Sequence, residues 1–338
     1  MNLNVVCDSL DIRHNSGIHL NLKSLLFSFY FKSKFLYGYT NKLNPNDLKI
    51  YLKKKCIMID VLYIRLMYLN LEHFYNLEIL ICSCNRIYNL DLSCTPKLKI
   101  CICSQTHIQK LDLKYNPKLI ELMCSGNKLS SLDIKYTPNL RILSCSQNFI
   151  EELYFKNNPK LIELNSEDNK LTYLNLSCNL KLKKLNVNNN RLHNLNIKYS
   201  KNLKFLSYNF NRLCNLDLRN FTKLNELFCV YNQIEFLDLS CNKELKRLHC
   251  SHNKFNSLDL HINSNLMELY CSSNKLKNLN LKCNTKLILL NCRNNQLSSL
   301  DLSHNKELVR LDCLGNSIKD LDLSYNTKLK IKSFRYSN

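Results

Sequence analysis

A cysteine recurs every 21 residues along most of this chain. From Cys313 the steps run back through Cys292, Cys271, Cys250 and Cys229, lapse at Tyr208, Val187 and Ser166, and resume from Cys145 through Cys124 and Cys103 to Cys82. Nine of these twelve positions carry the thiol, and the register never slips by one residue. The companion columns are stricter. Five positions earlier stands Leu at every step from Leu77 to Leu329, and eight positions later Leu again from Leu90 to Leu321. Three positions later stands Asn from Asn85 to Asn316, with Thr106 the one exception. A fixed period held across residues 77–329 demands stacked copies of one supersecondary unit, a solenoid.

Within a unit, Leu290-Asn291-Cys292-Arg293 alternates inward and outward, the period of a strand. Parallel strands from successive coils would pair about 4.8 Å apart, so twelve rungs make a curved sheet on the order of 55 Å long. A second segment such as Leu300-Asp301-Leu302 returns the chain along the convex side. A coil of 21 residues leaves no room there for a full helix, and extended or 3₁₀ pieces are expected. The Asn column falls where the chain leaves the strand, where a buried amide covers backbone groups that cost about 1–3 kcal/mol if left unpaired. Thr106 should therefore mark a weaker turn.

The unit L-x-x-L-x-C-x-x-N-x-L resembles the leucine-rich repeat. Its 21-residue period, Cys column and following L-D-L-S-x-N are similar to the cysteine-bearing repeats of internalin J-like bacterial surface proteins. The resemblance covers about residues 77–329 and implies a leucine-rich repeat solenoid with a parallel sheet on its concave face. It also makes a helical cap plausible at the N-terminal end. Residues 1–58 do not follow the repeat and read as a cap segment, with nine Lys and Arg against three Asp and Glu. They contain the apolar run Leu25 to Phe31 and, after Pro45-Asn46-Asp47, a short helix signal in Leu48, Tyr51 and Leu52. Residues 59–76 form a degenerate first coil, 77–329 an array of 12 coils, and 330–338 a fading last coil in which Phe334 takes the Cys position and Lys332 an inward Leu position.

Composition excludes several classes. Only four Gly are present, too far apart for a phosphate-cradling loop, and Ala is absent, which together with the wealth of Asn, Lys and Ile reads as AT-rich coding. No apolar run reaches the roughly 18–20 residues of a membrane span, and Met1 to Leu20 lacks the pattern of a secretory signal. The cysteines read as reduced, buried packing residues, which favours a cytoplasmic location; the resemblance to surface proteins favours the opposite. Cys82, Cys84, Cys101 and Cys103 do not supply a convergent zinc set, since Cys84 should face outward. No metal, cofactor or catalytic residue is expected, because no metalloprotease, hydrolase-elbow or kinase motif is present.

Function is left to the outer surfaces. Six aliphatic residues face outward on the strands of the first four rungs: Ile79, Ile81, Ile100, Ile102, Met123 and Ile142. Such a patch is either covered by residues 1–58 or binds a partner. A second concave cluster spans four later rungs, with Phe205, Phe210, Phe228, Tyr231 and Tyr270 around Arg247, His249 and His252, and with Glu226 and Glu268 close by. Aromatic and Arg clusters anchor protein interfaces, whereas codon bias would scatter such residues over all rungs. The expected role is a non-catalytic scaffold for an as yet unidentified protein. The alternative is electrostatic binding of nucleic acid or an anionic surface by convex rows such as Lys114, Lys135, Lys156, Lys198, Arg219 and Lys282, given a net charge of +21.

Overall fold

The computed structural model describes residues 56–63 and 65–333. The Leu25–Phe31 run, the helix signal after Asp47 and Phe334 lie outside the described residues. The expected solenoid is found. Fourteen three-residue strands, from Met58–Asp60 through Ile79–Ile81 and Ile100–Ile102 to Ile331–Ser333, form one sheet in chain order. All are parallel, and every register is a shift of 21, as in Leu227↔Leu248 and Leu248↔Leu269.

The inward columns make the core. Leu77, Leu80 and Cys82 are buried, and their equivalents repeat coil after coil to Leu308, Leu311 and Cys313. Where Cys lapses, Ser166, Val187 and Tyr208 occupy the same spine and are also fully buried. In the degenerate coil Leu71 is buried while Leu66 and Leu69 pack against the core from its margin. At the other end Lys332 pairs with Leu311 in register but is exposed, so the apolar spine stops there.

Two asparagine ladders stitch the coils together. In the first, Asn148 Nδ2 donates to the carbonyls of Cys124 (3.1 Å) and Cys145 (3.0 Å) while its Oδ1 accepts from Leu129 N (3.0 Å). Thr106 is fully buried in that column and places its hydroxyl 2.8 Å from Cys103 O and 2.9 Å from Asn127 Oδ1. The second ladder runs through the convex turns, where Asn305 Nδ2 donates to Leu281 O (3.1 Å) and Asn284 O (2.9 Å).

The convex side is extended and turned, with no helix among the described residues. Its L-D-L carboxylates fold back on their own turns, as when Asp91 Oδ1 accepts from Ser93 N. One stretch departs from this. Tyr154, Asn175 and Asn196 replace Asp on three successive coils, and there the convex backbones pair, Tyr173–Asn175 with Asn194–Asn196 and Tyr154 with Asn175. Charged side chains one coil apart repel each other, and their absence lets neighbouring convex segments close into a second, two-stranded sheet.

Candidate functional site

The residue two after the Cys column sets the geometry of the concave rim. It has a positive φ in all twelve coils, from Cys84 (57°) through Phe210 (54°), Tyr231 (53°) and His252 (54°) to Gly315 (69°). This left-handed corner turns the chain off the strand and aims each side chain at this position along the same direction. Gly and Asn take such a φ with least strain, while a bulky side chain there is uncommon. Five of the twelve corners are Gly, Asn or Asp, the one signal in the sequence that marks the column. Phe210 and Tyr231 depart from it.

Because the corners repeat, the rings stack. Phe210 and Tyr231 lie 4.6 Å apart at 17°, and Tyr231 and His252 lie 3.9 Å apart at 7°. Phe210 and Tyr231 remain 49% and 46% exposed. A second run crosses the strands themselves. Phe205 sits 5.5 Å from Phe228, Phe228 packs its edge at 4.7 Å against His249, and His249 lies 4.2 Å from Tyr270. All four are half-buried. The seven rings named from the sequence thus form two ladders on one concave wall.

Acids and bases meet on this wall. Arg247 reaches Glu226 (3.4 Å), and His249 Nε2 lies 3.7 Å from Glu268. Burial holds the His249 imidazole below its ordinary range, against the opposing pull of Glu268. Burial likewise raises the Tyr270 phenol. Among the described residues no group of three His, Cys, Asp or Glu side chains is placed to hold a metal ion. The pairs Ser303–His304 (3.0 Å) and His261–Asp259 (2.7 Å) sit on separate coils and do not join into a proton relay.

The aliphatic wall on the first rungs is largely closed to solvent. Ile79, Ile100 and Ile142 are buried, not exposed, and Glu121 between them is buried as well; Ile81, Ile102 and Met123 are half-buried. Burial raises the Glu121 carboxyl, and nearby Glu163 adds to the shift. The equivalent position is half-buried or exposed on the later rungs, as at Glu226 and Arg247, so an outward strand position is not by itself an exposed or a covered one.

The convex cations are also more engaged than a row of charges suggests. Lys135 pairs with Asp133 (2.8 Å) and Arg219 with Asp217 (2.9 Å), and the Arg219 guanidinium holds that carboxyl down to about 2. Lys114 and Lys198 lie over the rings of Tyr115 and Tyr199, and Lys160 Nζ donates to Asn139 Oδ1 (2.6 Å). Sequence reasoning missed one feature here, an open convex cavity of about 340 Å³ lined by Glu151, Tyr154, Lys156, Tyr173 and Cys178 beside the second sheet. No helix among the described residues is long and apolar enough to cross a membrane.

No protein-family model matches the chain, and no curated protein matches it. Solved structures do. The functional domain of InlJ from Listeria monocytogenes, which includes a cysteine ladder, is similar over 86% of this chain at 29% identity with a TM-score of 0.84. This chain covers 66% of that one, just under two thirds. A leucine-rich repeat protein of Leptospira interrogans is similar at 24% identity and a TM-score of 0.69, over 79% of this chain and 81% of its own. The internalin inlF of Listeria monocytogenes is similar at 24% identity and 0.70, over 86% and 84%. The buried cysteine column, the 21-residue coil and these likenesses together make the chain a leucine-rich repeat solenoid, similar in its cysteine ladder to the InlJ domain.

Proposed function

We propose that the chain is a non-catalytic scaffold that captures a protein partner on its concave face, with Phe205, Phe210, Phe228, Tyr231 and Tyr270 as anchors. Glu226, Arg247, His249 and His252 complete the surface. The observation that carries this reading is the pair of ring ladders. Large rings held in fixed positions lose little conformational freedom on binding, and their half-exposed edges offer apolar area at low cost. A corner that prefers Gly or Asn but holds Phe210 and Tyr231 suggests that those rings serve something other than the turn.

The test is capture of interacting proteins by the purified chain, comparing wild type with the Phe228→Ala, Tyr231→Ala double variant. Both side chains lie outside the apolar spine, so the fold should survive. Loss of the captured protein with an unchanged thermal midpoint is the expected result. Equal capture by both forms would overturn the reading.

A further inference from the structure

Two rows of cations border the aromatic wall. On the residue before each strand stand Lys183, Lys204 and Lys246, with Asn225 between them; two residues beyond each left-handed corner stand Arg191, Arg212, Lys254 and Lys275, with Gln233 between them. All seven cations are exposed. No ion pair joins any of them to an acid among the described residues, whereas on the floor between the rows Arg247 is paired with Glu226 and Glu268 faces the His249 ring. Neither row holds an acid over these coils. The surface is therefore an aromatic floor between two unneutralised basic borders.

The dimensions discriminate between occupants. Lys204 and Arg212 are eight residues apart, a span of at most about 27 Å if extended and on the order of 20–25 Å once the corner at Phe210 bends it. An α-helix with its side chains is about 10–12 Å across, and Lys or Arg side chains reaching in from both borders close the remainder. A single extended peptide strand is narrower and would engage one border. It would also find no free strand edge on this floor, because each strand here is already paired on both sides. A nucleic-acid backbone laid along the floor would meet the Glu226 and Glu268 carboxylates. Along the solenoid axis the borders run three and four coil steps, on the order of 14–19 Å, which is about three turns of helix.

Resting on the concave-face reading above, we infer that this surface takes an amphipathic helical segment of a partner protein. That helix has a stripe of Leu or Phe against the rings and Asp or Glu on both flanks. The stripe supplies contact area, and the flanking carboxylates pair with the two borders. Opposite charge along both edges fixes the helix orientation and speeds encounter.

The experiment is selection of a displayed random peptide library on the full chain, followed by anisotropy titration of enriched peptides at low and high salt. The comparison proteins are a border variant carrying Lys204→Glu, Lys246→Glu, Arg212→Glu and Lys254→Glu, and the floor variant Phe228→Ala, Tyr231→Ala. The expected result is enrichment of helix-forming sequences with acidic flanks and an apolar stripe. Their affinity should fall at least tenfold on either variant and at high salt. Enrichment of extended, Pro-rich or basic sequences, or of none, overturns the inference. Peptides that lose affinity on the floor variant but not on the border variant overturn the acidic-helix assignment while sparing the concave-face reading. Peptides insensitive to the floor variant remove that reading as well. Binding of single-stranded RNA as tight as that of the peptides, tested with a labelled 20-mer, also overturns it.

Discussion

The Tyr231 and His252 rings lie 3.9 Å apart and within 7° of parallel, each carried on a left-handed corner one coil from the other. The contact is a product of the backbone repeat. Neighbouring residues in this column share a φ between 50° and 69° and one coil of separation, so planar side chains placed there come face to face. A corner of this kind costs a bulky L-residue on the order of 1–2 kcal/mol relative to Gly. Ring stacking returns about 0.5–1.5 kcal/mol.

These terms predict that Tyr231→Asn changes stability only modestly. Asn tolerates the corner, so relief of strain offsets most of the two lost stacks, on Phe210 and on His252, and the unfolding free energy should stay within about 2 kcal/mol of wild type. Capture of the partner should nevertheless fall at least tenfold. Urea titration together with a binding isotherm checks both halves. A variant that binds normally, or unfolds much earlier, contradicts the argument.

Thr106 offers a stabilising substitution. Its Asn equivalents use Oδ1 to accept the backbone N–H nineteen residues earlier, as Asn127 does from Ile108 N at 2.9 Å and Asn85 from Leu66 N at 2.9 Å. By that spacing Asn at 106 would serve Ile87, and a hydroxyl donating elsewhere replaces only part of an amide. Thr106→Asn should therefore raise stability by about 1 kcal/mol. The reverse change at an intact rung, Asn148→Ala, removes the amide's donation to three carbonyls and one accepted bond and should cost about 3 kcal/mol or more. Native-state hydrogen exchange at Ile87 and Leu129 reports each effect locally.

How far the sequence discloses all this depends on which side of the coil a residue faces. Inward positions such as Leu248, Cys250 and Asn253 are dictated by a core that repeats every coil, so their identity copies and the period betrays them. The aromatic cluster is legible for a different reason: Phe228, His249 and Tyr270 share a column by spacing, although no core dictates their identity. Outward positions carry no such constraint. Ile79 and Ile142 are buried while Arg247 and Arg310 at the same place in the unit are exposed, so the place in the unit alone does not decide it. The second sheet at Tyr173–Asn175 was announced only by loss of Asp at three consecutive steps, a feature that acquires meaning once those segments are known to lie side by side.

The two resolved corner glycines should respond differently to Ala. Both have left-handed φ, which ten other corners tolerate without Gly. A Cβ on Gly126 would come 3.0 Å from Cγ of Gln105, an exposed and flexible side chain, whereas on Gly315 it would fall 2.1 Å from Asn294 Oδ1. Gly126→Ala should cost about 1 kcal/mol, the usual cost of the corner for an L-residue. Gly315→Ala should cost more unless Asn294 rotates away, so the double change Gly315→Ala, Asn294→Ser should recover part of the loss. A thermodynamic cycle over these variants measures the coupling directly.

The cysteine column makes stability fall in alkali. Burial pushes the Cys145, Cys229 and Cys271 thiols up to about 12 and Cys313 up to about 11, from an ordinary value of 9.0. Below pH 9 folded and unfolded chains both keep these protons, and the thiols contribute their full stability. Between about 9 and 12 the unfolded chain releases protons that the folded chain retains, so stability declines by about 1.4 kcal/mol per pH unit for each thiol involved. The double change Cys145→Val, Cys271→Val removes two such thiols and should flatten the decline by about 2.7 kcal/mol per pH unit, read from urea midpoints under reducing conditions. The same burial predicts the order of alkylation at pH 8. Exposed Cys178, Cys214 and Cys283 should be labelled quickly, while Cys124, Cys145 and Cys250 react only as their coils open. Peptide mapping that found Cys250 labelled as fast as Cys214 would show that the spine is open to solvent, and the pH argument would fall with it.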